Sequence, residues 1–91
     1  MRKFLIEVPH AADTLTCARV IKAFLETGSH YLTQADWGCG DGDHRAWLIV
    51  EAADREEAKQ IVPPPFRSDA SVVKLSRFTL EEIERTIERN S

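Results

Sequence analysis

The sequence predicts an α+β domain of βαββαβ order followed by one more helix, and three observations carry that prediction. Runs with two-residue alternation, at Lys3 to Val8 and from about His44 to Glu51, read as strands, whereas apolar residues from Leu15 to Leu25 recur at helical spacing. Asp41-Gly42 stands between two apolar runs, the pattern of a β-hairpin whose turn positions need positive φ. Two capping boxes, Asp54-Arg55-Glu56-Glu57 and Thr79-Leu80-Glu81-Glu82, each open a helix.

In the first strand Phe4, Ile6 and Val8 alternate with Leu5, Glu7 and Pro9, and Pro9 ends it. Asp13 or Thr14 caps a first helix in which Leu15, Ala18, Ile21 and Leu25 recur beside Cys17, Val20 and Phe24, with Gly28 as the stop. This spacing assigns Cys17 to the core. A second strand is expected from Tyr31 or Leu32 to Gly38 and a third from His44 to Glu51, joined by a two-residue Asp41-Gly42 turn that sets Cys39 opposite His44. The second helix runs through Ala58, Ile61 and Val62 until Pro63-Pro64-Pro65 stops it. Ala70 to Phe78 supplies a fourth strand, and the terminal helix carries Leu80, Ile83 and Ile87 on one side.

This is the order of the split βαβ unit, a ferredoxin-like arrangement in which right-handed crossovers give an antiparallel sheet ordered 4-1-3-2. The expected core comprises Phe4, Ile6, Val8, Ala46, Leu48, Val50, Val73 and Leu75 beneath the helices, with Trp37 beside Ala46. The opposite face would then carry Leu5, Glu7, Arg45, Trp47, Ile49, Glu51, Val72, Lys74 and Phe78. That face is too apolar for water alone, and a second copy of the chain is the expected cover. The terminal helix is the alternative cover.

Residues 1–91 read as one domain, without repeats, low-complexity segments or a linker. Apolar residues at 43% and charged residues at 30% suit a folded chain and exclude a disordered one. The net charge of −3 is spread evenly, so nucleic acid is not an expected partner. No apolar run is long enough to span a bilayer and no signal-peptide pattern follows Met1, so a cytoplasmic location with reduced cysteines is expected, away from any membrane.

The strand KFLIEVPH, the hairpin DWGCGDGDHRAWLIVEA, the helix REEAKQIVPPPF and the closing VVKLSRFTLEEIE resemble the small stand-alone dimeric α+β barrel proteins. That superfamily includes muconolactone-isomerase-like and antibiotic-monooxygenase-like members and many of unassigned function. The resemblance spans nearly the whole chain and lies in order and length. It implies a homodimer, and its members range from isomerases and cofactor-free oxygenases to proteins with no known activity. No motif of one member stands here, so no catalytic residue is carried over.

Two constellations have chemical potential. His10, Cys39 and His44 converge at one sheet edge in the expected topology, and imidazole and thiolate suit zinc or another borderline metal. No paired spacing such as Cys-x-x-Cys accompanies them, and Asp and Gly at a hairpin tip also serve turn geometry and solvation. Without a metal, His10 or His44 could transfer a proton in a cofactor-independent reaction. The second constellation is the non-helical face, where Trp47 offers a flat platform and Glu7, Asp36, Arg45, Glu51 and Lys74 surround it with charge. It reads either as a small-molecule site or as an ion-pair network around a dimer anchor. The function expected from the sequence is therefore a dimeric small-molecule-binding protein with no cofactor or with a transition metal. An isomerase or oxygenase and a non-catalytic dimerisation module are the alternatives.

Overall fold

Arg2–Pro9 forms β1, in which Phe4, Ile6 and Val8 are buried while Leu5 and Glu7 are half-buried on the other side, as an alternating strand requires. The computed structural model describes residues 1–91. Asp13 caps α1, Thr14–Glu26, by accepting from the Thr16 amide at 2.8 Å, and Gly28 follows the helix with φ 68°. A short helix, α2, spans His30–Thr33, and β2 is only Asp36–Trp37. A 3₁₀ turn at Cys39–Asp41 leads to β3, Arg45–Ala52. Asp54 caps α3, Arg55–Gln60, and a second 3₁₀ turn at Pro64–Phe66 precedes β4, Ser71–Lys74. Leu80–Asn90 forms α4, capped by Thr79, whose hydroxyl accepts from the Glu82 amide.

The four strands make one antiparallel sheet ordered β2-β3-β1-β4, which is 4-1-3-2 when read from the opposite edge. Phe4, Ile6 and Val8 stand opposite Val50, Leu48 and Ala46, all buried. Val20 and Phe24 of α1, Leu32 of α2, Ala58 of α3 and Val62 pack with these residues into one cluster on that face. The α+β class and the helix-covered face therefore agree with the sequence reading. No helix is long and apolar enough to cross a membrane.

Four local expectations need correction. The second strand does not begin at Tyr31 or Leu32: residues 30–33 wind helically, the Thr33 hydroxyl donates to the Ser29 carbonyl, and Leu32 is thereby driven into the core. The hairpin is not a two-residue Asp41-Gly42 turn. Such a turn needs positive φ at both positions, yet only glycines have it, Gly42 at 81° among them; the amides of Asp41 and Asp43 both donate to the Gly38 carbonyl at 3.0 Å, closing a wider loop.

The fourth strand is shorter than Ala70 to Phe78, and its facing is inverted. Ile6 stands opposite Val72 and Leu5 opposite Val73, so Val72 turns toward the helices and Val73 lies on the open face, 52% exposed. Lys74, opposite Phe4, leaves the open face for the same reason. Finally, α1 buries a narrow stripe of Cys17, Val20 and Phe24, while Leu15 and Leu25 are exposed. The terminal helix covers neither face: all its residues are exposed, Leu80 and Ile87 by 75% and 61%.

Candidate metal centre

The β1–β3 register continues one step past the strands, because the His10 amide donates to the His44 carbonyl at 3.0 Å. This pairing sets the two imidazoles edge to face, with centroids 5.8 Å apart. On the other side of β3, the Gly38 amide donates to the Arg45 carbonyl at 3.1 Å, and the chain then turns through Cys39 toward the same point. His10 Nε2 lies 3.1 Å from Cys39 Sγ. The end of β1 thus meets the loop before β3, and one ligand atom from each of His10, Cys39 and His44 can be chosen with all three within 4.8 Å of one another. Trp37 stacks edge-on against His10 at 5.7 Å and Phe24 at 5.0 Å, which ties the cluster to the core.

Burial biases the His10 imidazole toward its neutral form. Desolvation, followed by repulsion from His44, holds His10 below the ordinary histidine value, and a weaker backbone interaction with Val8 opposes the shift without reaching hydrogen-bond geometry. Nδ1 of His10 and Nδ1 of His44 are both buried without a hydrogen-bond partner. An orphaned buried polar atom is costly, and two in one cluster are unusual in a site built only for packing.

Cys17 is the residue that sequence reasoning missed. It is buried, yet it stands outside the core cluster, and its thiol contacts Cys39 Sγ at 3.0 Å. Hydrogen bonding to Cys39, and then burial, push the Cys17 thiol above its ordinary range. Helical spacing alone groups Cys17 with Val20 and Phe24. The available signal was its place in the first turn of α1, the end nearest His10. Cys17, Cys39 and His44 border an open depression of about 370 Å³ together with Thr14 and Ile21.

The second constellation assembles only in part. Glu7 Oε1 accepts from the Trp47 indole at 2.9 Å and from Arg45 at 3.2 Å. Arg45 also grips Asp43 through two bonds of 2.7 and 2.6 Å, which holds the Asp43 carboxyl below its usual range, and its guanidinium lies 5.2 Å from the Trp47 ring centroid. Asp36 stands opposite Trp47 and borders a depression of about 260 Å³ with Leu5, Tyr31 and Gln34. Glu51 is exposed beyond this network, and Lys74 lies on the other face.

Gly38 joins the two regions. A Cβ there would stand 2.6 Å from the Asp43 carbonyl and 2.7 Å from the Trp47 ring, so glycine alone permits both the loop closure and the indole position. Compared with protein-family models, with curated proteins and with solved structures, the chain matches none.

Proposed function

We propose that the protein binds one transition-metal ion through His10, Cys39 and His44, within a domain of ferredoxin-like order. The single observation that carries the reading is the meeting of these ligand atoms within 4.8 Å, His10 from the end of β1 and Cys39 and His44 from the two sides of the loop that precedes β3. Zinc-ligand bonds of about 2.0 to 2.3 Å require this cluster to contract by roughly 1 Å around the ion, and two imidazoles with a thiolate favour a borderline ion over magnesium or calcium. The two Nδ1 atoms without a hydrogen-bond partner lend further support, since packing alone gives no reason to bury them unpaired.

Elemental analysis of the purified protein, followed by zinc titration against a chelating dye, tests the reading. One equivalent per chain is expected, bound much more weakly by His10→Ala and by Cys39→Ser. Protein that neither retains nor takes up zinc, cobalt or nickel would overturn it.

The open sheet face supports a second proposal, a homodimer of the dimeric α+β barrel kind with a cleft for a small molecule over Trp47. Leu5, Ile49 and Val73 form an apolar row there, with Ile49 56% exposed and the charges of Glu7 and Arg45 beside it. Sedimentation of Ile49→Glu tests it. Wild-type dimer and variant monomer are expected; a wild-type monomer at high concentration removes the proposal.

A further inference from the structure

Among the buried apolar side chains Cys17 alone lies outside the core cluster, and the contact its sulfur makes explains the exception. Cys17 Sγ is 3.0 Å from Cys39 Sγ, which is itself 3.1 Å from His10 Nε2. Cys17, Cys39 and His44 also border one depression. We propose that Cys17 is the fourth ligand of the metal, so that two thiolates and two imidazoles close a tetrahedron around it; this rests on the metal reading above.

Bonds of about 2.0 to 2.3 Å to the four corners of a tetrahedron set the ligand atoms roughly 3.3 to 3.8 Å apart. The two sulfurs now stand closer than that, the three-residue cluster spreads to 4.8 Å, and Cys17 Sγ lies outside it, in contact with Cys39 alone, so that it must swing toward the imidazoles as the ion enters. Separating the sulfurs by less than about 1 Å and drawing the imidazoles inward admits the ion, a movement within reach of side-chain rotation. Cys17 is well placed for it. The residue lies one turn into α1, where its amide is bonded to the Asp13 carbonyl and the helix backbone holds its Cβ in place.

A fourth protein ligand changes what the site does. An S2N2 tetrahedron selects zinc over oxygen-seeking ions and leaves no position for a water nucleophile, so the metal would fasten structure instead of hydrolysing a substrate. It would link the first turn of α1, the end of β1 and the Cys39–His44 loop, whose side-chain hydrogen bonds to one another are the His10–Cys39 and Cys17–Cys39 contacts. The thiol contact has a rival explanation, a Cys17–Cys39 disulfide. Oxidation by a low-molecular-weight disulfide would join the sulfurs, pass two electrons and two protons to the oxidant, which departs as two thiols, and leave no thiolate for the metal.

Cobalt as a spectroscopic probe separates these outcomes in the full-length, reduced protein. Sulfur-to-cobalt charge transfer in the wild type should be about twice as intense as in Cys17→Ser or Cys39→Ser, and Cys17→Ser should bind zinc at least about tenfold more weakly. X-ray absorption of the zinc-loaded wild type provides a reading that needs no variant: two sulfurs and two nitrogens are expected. One sulfur in that spectrum, or wild-type cobalt absorption in Cys17→Ser, overturns the role of Cys17 while the three-ligand site stands. No metal uptake by the reduced wild type removes both readings. A native Cys17–Cys39 disulfide that takes up no metal after reduction assigns the contact to redox pairing and overturns the proposal as well.

Discussion

On the open face Glu7, Arg45, Asp43 and Trp47 saturate one another, whereas at the loop end of the same strands His10, Cys39 and His44 meet with two buried ring nitrogens left unpaired. The two regions share β1 and β3 and are only a few residues apart. The first is a closed ion-pair and hydrogen-bond network, in which every strong donor has an acceptor. The second retains unmet coordination capacity, and that difference, more than the number of polar residues, distinguishes a candidate ligand site from a structural network.

Cys39→Ser cuts most deeply into this contrast. It should lower zinc affinity by more than about 100-fold, beyond the roughly 10- to 100-fold effect of groups that merely support ligands, while Glu7→Gln leaves affinity unchanged. A competition titration reads both, and equal losses would erase the distinction. Gly38→Ala comes next, because its new methyl would strike the Asp43 carbonyl and the Trp47 ring together. A loss of about 1 to 3 kcal/mol in urea unfolding is expected, with a shift in tryptophan emission and weaker metal binding.

Glu7→Gln should cost about 1 kcal/mol in the same unfolding measurement, since it exchanges charge-assisted bonds from Trp47 and Arg45 for neutral ones. The smallest effect is in pH dependence, where the two regions part company. His10 is held below its ordinary 6.5, so under mildly acidic conditions the unfolded chain binds a proton that the folded chain resists. Its contribution is present above 6.5 and is lost as pH falls through the lowered folded value. Asp43 is held below its ordinary 3.8, so its contribution persists until the pH drops beneath that value. Unfolding midpoints of metal-free protein should fall below pH 6.5 in the wild type and less so in His10→Ala. Identical slopes would contradict the neutral-imidazole account.

Element order, the caps at Asp13, Asp54 and Thr79 and the inward faces of β1 and β3 were legible in the sequence, because strict alternation and side-chain capping are local properties. The same element order placed His10, Cys39 and His44 at one sheet edge, though the backbone bond between His10 and His44 came only with the structure. The facing of β4 was not legible. Val72 and Val73 are both apolar and β-branched, so alternation has no means of choosing between them, and only pairing with Leu5 and Ile6 decides. Nor was the wide Gly38–Arg45 loop, since Asp41-Gly42 satisfies a two-residue turn equally well until the Gly38 carbonyl takes two amides. The position of the Cys17 sulfur depended on tertiary structure most of all. Spacing assigns a residue to a helix face, but the roll of α1 on the sheet, set by Val20 and Phe24 in the core, turns the end of that face toward Cys39.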